Sequence, residues 1–416
     1  VFEMDPDKLG LASGPIYAGS TFSATGVIGY EYGGYELWPV ELNVAHVPLP
    51  VPVRGRLPGE TTVGSLNLFR LCDAGDDCPV RLAKFSMYVR DVLLSPDILA
   101  VQEAFDIGVL QALADQIATD DPGVQYTPYL IEGNDTGGID VGFLVRDSIL
   151  VDAVIQMGAS EVFSYDASLL HDRPPLLLEG RYTGNGLGFP LAVMVVHNRS
   201  LNGIDTERVQ LKRLAQAESI AAMVQAYQTA NPKVPLSVVG DFNAFEFTDG
   251  YVDAVGHIKG SFNPAESLQS GQDLVSPNLV NQVDLLPQGA RYSFVYQGSA
   301  QALDHALTND AASYWVRGMQ FGRGNADAAH LQLDHPDSAH RSSDHDGFVL
   351  YLMTDFDGDG YADDVDECPD NKYAHRAHPE FGCDVGIPTL NPAGLALLLL
   401  LLGGLGVYTI SYRSRF

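Results

Sequence analysis

The chain has 416 residues, 46% of them hydrophobic, which is enough for one large domain with appendages and a buried core. Its 53 acidic residues outnumber the 24 basic ones and give a formal net charge of −29. This charge repels nucleic acid at long range, which excludes binding driven by overall positive charge, and it leaves acidic groups available for divalent cations.

The N-terminal part, residues 1–60, predicts a small β module and a linker. The chain starts at Val1 without a charged and then apolar leader, so we expect a processed or truncated start. Residues 20–37 alternate in polarity and contain glycine turns, which is typical of a β-hairpin. Residues 48–58 are rich in proline and predict a stiff linker.

The middle of the chain, residues 61–354, alternates apolar strand patterns with helical patterns. It predicts an α/β fold with two packed mixed sheets flanked by helices. The predicted helices are 81–94, 106–119 and 205–230, the last opening after Asp205 and Thr206 as capping residues. The predicted strands are 61–68, 98–102, 139–146, 190–196, 235–240, 303–308 and 347–353.

The four cysteines form two close pairs, Cys72 with Cys78 and Cys368 with Cys383. The even number and short spacing favour two local disulfides in an oxidising compartment. Zinc is the alternative for the first pair. No histidine lies near that pair and its spacing differs from that of zinc motifs, so we favour the disulfide.

Four short polar motifs lie at the ends of apolar runs of strand length. They are LAVQE at 99–103, VVHNRS at 195–200, VGDFNA at 239–244 and SSDHD at 342–346. Carboxylates, amides and imidazoles at strand ends converge at one open edge of a sheet. This combination suits a hard metal ion and a phosphate ester, because oxygen ligands hold the metal and histidines transfer protons.

Residues 62–354 resemble the endonuclease/exonuclease/phosphatase superfamily and, within it, the bacterial extracellular deoxyribonucleases. The resemblance is carried by GSLNLF at 64–69, PDILAVQE at 96–103, HNRS at 197–200, GDFNA at 240–244, ALDHAL at 302–307 and SDHD at 343–346. It implies a four-layered α/β sandwich with the site at one sheet edge. It also implies a secreted, metal-dependent phosphodiesterase, most simply an endonuclease that cuts DNA by in-line attack of water.

The resemblance further assigns a catalytic Mg²⁺ or Mn²⁺ to three of these residues. Glu103 is the main ligand, Asp344 is the second, and Asn67 helps to set the ligand shell. A carboxylate at the end of a buried strand is costly unless it is paired or metal-bound, which agrees with this role for Glu103. Mg²⁺ typically uses one or two carboxylates, several waters and substrate phosphate oxygens.

The same resemblance makes His345 the general base, oriented by Asp304. Imidazole suits this role because its unperturbed pKa lies near neutrality. His305 is adjacent to Asp304 but faces the opposite side if 303–308 is a strand, so we leave it out of the catalytic set.

His197 is the second imidazole, expected to protonate the leaving oxygen or stabilise the phosphate, with Asp140 as its acidic partner. Asp241 and Asn243 flank one residue and therefore face the same way. Asn243 donates to a phosphate oxygen in this scheme, and Asp241 orients water or acts as an acid. Arg199 stands where lysine is common and is expected to bind phosphate.

The N-terminal hairpin resembles part of the OB-like module that precedes the nuclease domain of some bacterial extracellular nucleases. Tyr30, Tyr32 and Tyr35 either stack on bases or, in the interpretation that we favour, pack the small sheet. The OB-like resemblance favours nucleic acid as the substrate. The alternatives are a phospholipid or sphingomyelin phosphodiesterase, a sugar-phosphate phosphatase with the same site, or a non-catalytic surface adhesin.

Two acidic segments outside these motifs are candidate metal sites. The weaker lies before residue 344 and contains His330, His335 and His340 with Asp334 and Asp337. The stronger, 355–369, resembles a thrombospondin type 3 repeat and predicts Ca²⁺ because all its ligands are oxygens. The aspartates of that pattern are Asp355, Asp357, Asp359, Asp363 and Asp366. An EF-hand is disfavoured, because this segment has no glutamate at the twelfth loop position. The remaining alternative is a solvated acidic linker without a bound ion.

The C-terminal segment is apolar from 393 to 410 and is followed by Arg413 and Arg415. Its length is just enough to span a bilayer. With IPTLNP at 387–392, it resembles the IPTL-type sorting signal of Gram-negative surface proteins. This implies export to the surface or exterior of a Gram-negative bacterium, transient anchoring in the inner membrane and removal of the tail by a sorting protease. The alternative is a permanent single-span anchor. The sequence leaves the oligomeric state open.

Overall fold

The protein is described here by a computed structural model that covers residues 3–14, 16–17, 19–184, 188–379 and 382–383. It divides into two compact units between Thr354 and Asp355. The first unit contains all helices and strands described below and the residues predicted to form the catalytic site. The second contains the predicted calcium-binding loop.

The strands and helices of the first unit follow one another in a largely alternating order. The strands are β1 Glu3–Met4, β2 Thr21–Glu31, β3 Gly34–Ala45, β4 Glu60–Asn67, β5 Ile98–Ala104, β6 Tyr126–Leu130, β7 Asp140–Arg146, β8 Ile149–Gln156, β9 Leu176–Tyr182, β10 Phe189–His197, β11 Leu236–Asp241, β12 Val280–Asn281, β13 Phe294–Tyr296, β14 Ser299–Gln301, β15 Asp304–Thr308, β16 Val316–Phe321 and β17 Phe348–Met353. The helices are α1 Cys78–Met87, α2 Ile107–Asp120, α3 Glu207–Ala230, α4 Ala254–Lys259 and α5 Asp310–Ser313.

Two six-stranded mixed sheets form the centre of the first unit. One has the order β16-β17-β4-β5-β7-β6 and the other β12-β15-β11-β10-β9-β8. Each sheet contains one parallel pair, β4 with β5 and β10 with β11. The strands beside these pairs run antiparallel to them, so they begin where the parallel strands end.

Three layers of apolar side chains hold the sheets and helices together. Val63 and Phe143 of the first sheet pack against Leu178 and Val193 of the second, which places one core between the sheets. The outer face of the first sheet packs on α1 and α2, and that of the second on α3 and α4. Full burial of a side chain such as Phe143 stabilises the fold by about 1.5–3 kcal/mol. The result is a four-layered α/β sandwich, which confirms the predicted fold class.

The predicted elements recur with shifted ends, and several further elements were not predicted. The helix predicted at 81–94 is α1 followed by a π-helical turn, Tyr88–Val92. Thr206 is the N-cap of α3 but makes no side-chain capping bond, because its hydroxyl donates to the Gly203 carbonyl. The elements that the sequence missed are the strands β1, β6, β8, β9, β12, β13, β14 and β16 and the short helices α4 and α5.

The N-terminal residues form a three-stranded sheet in the order β1-β3-β2, with the predicted hairpin as β2 and β3. Tyr30 and Tyr35 pack against each other across β2 and β3, with ring centroids 5.1 Å apart, although they remain 61% and 71% exposed. Tyr32 at the hairpin turn is 102% exposed, so it does not pack the sheet. The segment 48–58 is also attached to the domain. Val51 pairs with Arg323, and the buried Val53 donates to the Val92 carbonyl, so this segment is not a free spacer.

Both predicted disulfides are present, Cys72–Cys78 and Cys368–Cys383, and no free cysteine remains in the chain. The first joins the residue before the loop of 73–77 to the first residue of α1. No helix within the described ranges has the length and hydropathy that a bilayer crossing requires. The predicted sorting signal and apolar tail, 387–416, lie outside those ranges.

Candidate active site

The strand arrangement brings the predicted motifs to one edge of the two sheets. Asn67 ends β4 and His197 and Asp241 end β10 and β11, while Glu103 lies one residue before the end of β5. Asp304 begins β15 and pairs in register with Asp241. Because the antiparallel neighbours start where the parallel strands stop, side chains far apart in sequence face one space.

Two local irregularities direct the side chains into that space. The register of β5 shifts between Val101 and Ala104, and Glu103 has a left-handed φ of +59°. A bulge of this kind re-aims a side chain at a functional edge. Gly240 has φ +135°, and a Cβ there would lie 2.1 Å from the Val196 carbonyl oxygen. Only glycine therefore allows β10 and β11 to approach so closely just before Asp241.

A cavity of about 760 Å³ opens at this edge. Its floor carries the predicted carboxylates and imidazoles, and its walls come from the loop of 200–203 and the hairpin of β13 and β14. The lining residues are Glu103, Ile139, Arg173, His197, Ser200, Leu201, Asn202, Gly203, Asp241, Asn243, Phe294, Tyr296, Gln301, Leu303, Asp344 and His345.

His345 and Asp304 form a buried hydrogen-bonded pair, with His345 Nδ1 2.6 Å from Asp304 Oδ2. An ionised carboxylate accepts from Nδ1–H and thereby directs Nε2 away from the pair, toward Asp241 Oδ2 at 4.0 Å. Burial lowers the pKa of His345, but the charges of Asp304 and Asp241 outweigh burial and raise it well above its usual value. The two carboxylates therefore stabilise the imidazolium that forms when His345 takes up a proton.

Glu103 and Asp344 have the features of a cation site. Burial, and next the charge of Asp344, raises the pKa of Glu103. Asp344 Oδ1 is buried without a hydrogen-bond partner within the described part of the chain. Two carboxylates that repel each other, one with an unpaired buried oxygen, fit a divalent cation. Asn67 Nδ2 donates to Glu103 Oε1 at 3.2 Å, whereas its Oδ1 accepts from Phe69 N. Asn67 thus presents a donor that orients Glu103.

A second group of possible ligands overlaps the acid–base pair. Atoms of Asp241, Asp304 and His345 lie within 4.8 Å of one another. We favour Glu103 and Asp344 for a metal, because Asp304 Oδ2 and His345 Nδ1 are already joined by a short hydrogen bond. Within the described ranges, the histidines of 330–340 form no such group of three.

His197 is buried beside the two acidic groups of the floor. Its Nε2 lies 3.5 Å from Asp241 Oδ2 and 3.9 Å from Glu103 Oε1. Burial, with the charges of Arg173 and His345, lowers its pKa well below the usual value, so it is neutral. Its Nδ1 has no partner among the described residues. The expected His197–Asp140 hydrogen bond is therefore not formed. Asp140 instead accepts from Gly133 N at 2.7 Å, and burial raises its pKa to about 6.

Asp241 and Asn243 face the same cavity, as their spacing predicts. Asn243 donates from its backbone N and its Nδ2 to the Asp241 carboxylate, at 2.8 and 3.0 Å. Burial and the nearby Asp304 and Glu103 carboxylates raise the pKa of Asp241 to about 7. This residue is therefore able to hold a proton near neutral pH. His305 lies behind this layer, with its Nε2 2.8 Å from the Ala244 carbonyl oxygen.

The arginine in the cavity is Arg173, which the sequence analysis missed. It donates to the carbonyls of His197 and Asn198 and to Asp135, and its side chain lines the cavity. Arg199 is not among the lining residues of the cavity, and its phosphate contact stays a prediction. Its backbone N donates to Gln216, and its Nε is buried without a partner in the described structure.

Replacing Arg173 with Met is expected to lower kcat/KM for a phosphodiester about 10- to 100-fold, because a charge-assisted bond contributes about 1.5–3 kcal/mol. Arg173→Lys should lose less, since it keeps the charge without the planar fork. Arg199→Met is the matched control and should show a smaller loss. Steady-state kinetics, with unfolding temperatures for each variant, check this. A larger loss in Arg199→Met would contradict the assignment.

Two further features of the cavity had no sequence signal. Phe294 contacts His345 with ring centroids 4.8 Å apart, and Tyr296 is 55% exposed on the same hairpin. Asp346 supports the site from beneath. Its carboxylate accepts from Asn325 N and Ala326 N and pairs with Arg323 at 3.0 Å. The second aspartate of the SDHD motif is therefore structural.

The model of the Endonuclease/Exonuclease/phosphatase family matches residues 71–345 of the chain. No curated protein matches the sequence at a significant level.

Several solved structures are similar to the chain at low identity. TDP2 from D. rerio, solved with a single strand DNA product, is 17% identical with a TM-score of 0.48, covering 71% of this chain and 99% of its own. A Bacteroides vulgatus endonuclease/exonuclease/phosphatase is 13% identical with a TM-score of 0.48 and the same coverage. The human Nocturnin catalytic domain, solved with a sulfate anion, is 16% identical with a TM-score of 0.45, covering 72% and 96%.

Proposed function

Because the chain belongs to the endonuclease/exonuclease/phosphatase family, whose members are hydrolases and usually metal-dependent, we propose that it is a secreted phosphodiesterase that cuts DNA as an endonuclease. The observation that carries this proposal is the His345–Asp304 pair on the floor of a cavity shared with Glu103 and Asp344. An oriented base beside two carboxylates that can hold a metal ion fits the attack of water on phosphorus.

His345 is the proposed general base. Asp304 fixes the tautomer through Nδ1 and stabilises the imidazolium that forms when Nε2 takes a proton from water. Arg173, Asn243 and the neutral His197 surround the place where phosphate oxygens would lie. Arg173 would provide charged donors for the negative charge that develops during in-line attack, whereas the Nδ2 group of Asn243 already donates to Asn198 O and Asp241 Oδ2.

Glu103 and Asp344 would hold the Mg²⁺ or Mn²⁺, with Asn67 orienting Glu103. When bound, the cation would neutralise phosphate charge and polarise the phosphorus–oxygen bonds. Metal removal tests this assignment, because EDTA should end hydrolysis and added Mg²⁺ should restore it.

The aromatic wall of the cavity favours a nucleic acid over a lipid. Phe294 and Tyr296 stand next to the proposed base, and a nucleobase stacks on such side chains with about 1–3 kcal/mol per base. Arg173 is the one arginine or lysine among the cavity-lining residues described above. Backbone contacts alone would therefore bind the polyanion weakly, and stacking would supply much of the affinity.

Digestion of supercoiled and linear DNA with Mg²⁺, with and without EDTA, tests the function. We expect nicking and linearisation of the supercoiled form, and no reaction in EDTA. RNA and sphingomyelin serve as parallel substrates. Hydrolysis of sphingomyelin without cleavage of DNA would show that the substrate is a lipid. Inactivity on all three with Mg²⁺, Mn²⁺ and Ca²⁺ would contradict a phosphodiesterase and favour a surface adhesin.

We also propose that the second unit binds Ca²⁺ through Asp355, Asp357 and Asp359, with Asp363 and Asp366 nearby. Carboxylate oxygens of the first three lie within 4.8 Å of one another. Asp357 is 6% exposed, and its Oδ2 is buried without a partner within the described part of the chain. Burial, with the neighbouring Asp359 and Asp366, raises the pKa of Asp357. A bound cation would give the buried Asp357 Oδ2 a partner and would stabilise the charged form of the carboxylate.

Calcium is expected to protect the second unit from proteolysis, and Asp357→Asn should abolish this protection. A ligand that binds only the folded state stabilises it by RT ln(1 + [L]/Kd), so protection should increase with the Ca²⁺ concentration. Asp370→Asn removes a carboxylate of the same unit outside the proposed ligand set and is the matched control. Limited proteolysis with and without Ca²⁺ is the measurement. Equal protection of Asp357→Asn and Asp370→Asn would contradict the site.

The proposed location is the exterior or surface of a Gram-negative bacterium, with passage through the inner membrane. The two disulfides support an oxidising compartment. Detection of the chain in the culture medium with a shortened C-terminus would test cleavage by a sorting protease.

A further inference from the structure

Lys84 of α1 is a fully buried cation surrounded by backbone oxygens. Its exposure is 0%, and its Nζ donates to the carbonyls of Gln332 and His335 at 3.0 Å and of Ser338 and His340 at 2.7 Å. An ammonium group has three N–H donors, so four acceptors share them. All four carbonyls come from one segment, 332–340, which has only one short 3-10 turn, His330–Gln332, at its start.

The ammonium is charged at neutral pH. Burial, and next the charge of Arg81, lowers the pKa of Lys84 to about 8, which still leaves it protonated at pH 7. No carboxylate forms an ion pair with it in the described structure. Burial of a charge is costly, and here the backbone dipoles of residues 332–340, together with the nearby charge of Asp334, offset that penalty. The contact thus resembles the coordination of a monovalent cation by carbonyl oxygens.

The segment around Lys84 leads directly into the proposed active site. Ser342 follows it and is fixed to α1 twice: its Oγ donates to the Lys84 carbonyl at 3.1 Å, and Arg81 Nη2 donates to its carbonyl at 3.3 Å. Asn325 accepts from Ser342 N and donates to the His345 carbonyl at 2.8 Å. The chain from 332 to 345 is therefore held at both ends.

We propose that the ammonium group of Lys84 takes the place of a bound monovalent cation, and that residues 332–340 fold around it. Lys84 is thereby a positioning residue for Asp344 and His345. A free potassium ion would be lost or exchanged with the salt of the surroundings. A cation carried on a side chain keeps the segment folded regardless of solution composition. The assignment of Asp344 as a metal ligand rests on the proposed function, whereas the folding of 332–340 around Lys84 does not.

The test uses Lys84→Ala in the full chain, with n-propylammonium as the probe. This cation replaces the four heavy atoms that the substitution removes beyond Cβ, and 1-propanol is its uncharged control. The readouts are proteolytic cleavage within 332–340, the Mg²⁺-induced rise in unfolding temperature, and phosphodiester hydrolysis. Lys259→Ala is the control variant. Lys259 is the last residue of α4, and its ammonium group lies 3.5 Å from Asp284 and not at the segment 332–340.

We expect Lys84→Ala to open 332–340 to protease and to weaken apparent Mg²⁺ affinity at least tenfold. Propylammonium should reverse both effects and 1-propanol should not. Lys84→Met keeps most of the length of the side chain without its charge, and it replaces the alanine variant if that variant does not fold. It should show the same losses. Wild-type behaviour of Lys84→Met, or equal rescue by 1-propanol, would overturn the proposal. Wild-type protein that is inactive on every phosphodiester refutes the proposed function, while the proteolysis readout still decides the role of Lys84.

Discussion

Glu103→Gln is expected to lower phosphodiester hydrolysis by about 10³-fold or more, which corresponds to about 4 kcal/mol of transition-state stabilisation. The substitution keeps the size of the side chain and removes the charge that the proposed cation needs. The carbonyl oxygen of the new amide would still accept from Asn67 Nδ2, which in the native protein donates to Glu103 at 3.2 Å. The loss should therefore reflect the metal and not a collapse of the strand end.

The metal-free stability of this variant provides the control. Asp344 and burial both disfavour the charge on Glu103, which is why its pKa is raised. Removing that charge should leave the unfolding temperature of the metal-free protein unchanged or higher. The Mg²⁺-induced rise in unfolding temperature should disappear in the same variant. Full activity with an intact Mg²⁺ response would show that Glu103 is not a ligand.

Asp304→Asn is expected to lower kcat by about 10³-fold or more, with a smaller change in KM. An amide at this position presents either a donor or a neutral acceptor to His345 Nδ1, which in the native protein is 2.6 Å from a carboxylate oxygen. A donor would force the tautomer that carries its proton on Nε2, so that nitrogen could not accept a proton from water. Related Asp-to-Asn changes behind a catalytic histidine cost about 10⁴-fold. Steady-state kinetics of the single variants are the measurement.

A double-mutant cycle distinguishes a shared role from two independent ones. His345→Gln removes the base, so adding Asp304→Asn to it should cost little more activity. Additive losses would mean that Asp304 acts elsewhere. In that case Asp241 is the other carboxylate beside the base, because its Oδ2 lies 4.0 Å from His345 Nε2.

The sequence was most informative where strand ends carried unusual polar residues. Asn67, Glu103, His197 and Asp241 follow buried apolar runs, and parallel strands bring such ends together. The gathering of these four residues could therefore be predicted without coordinates. Asp304 was assigned by the family resemblance, and the structure supplies the reason for its position: β15 runs antiparallel and starts at the edge where β11 ends.

Residues without a periodic context were not predictable. Arg173 lies in an irregular segment between β8 and β9, so no pattern separated it from Arg199, which sits inside a recognisable motif. Lys84 occupies a helix in which a charged residue normally indicates a solvent-facing position. Its burial depends on a segment about 250 residues later in the chain. Strand β8 is half-exposed and carries Asp152, which weakened its apolar signal.

Anomalous diffraction from crystals soaked in Mn²⁺ would locate the proposed catalytic cation. We expect one Mn²⁺ peak at the sheet edge between the carboxylates of Glu103 and Asp344, with the His345–Asp304 hydrogen bond intact. A peak centred instead on Asp241, Asp304 and His345 would contradict the division between metal site and base. The absence of any peak at this edge would contradict the site itself.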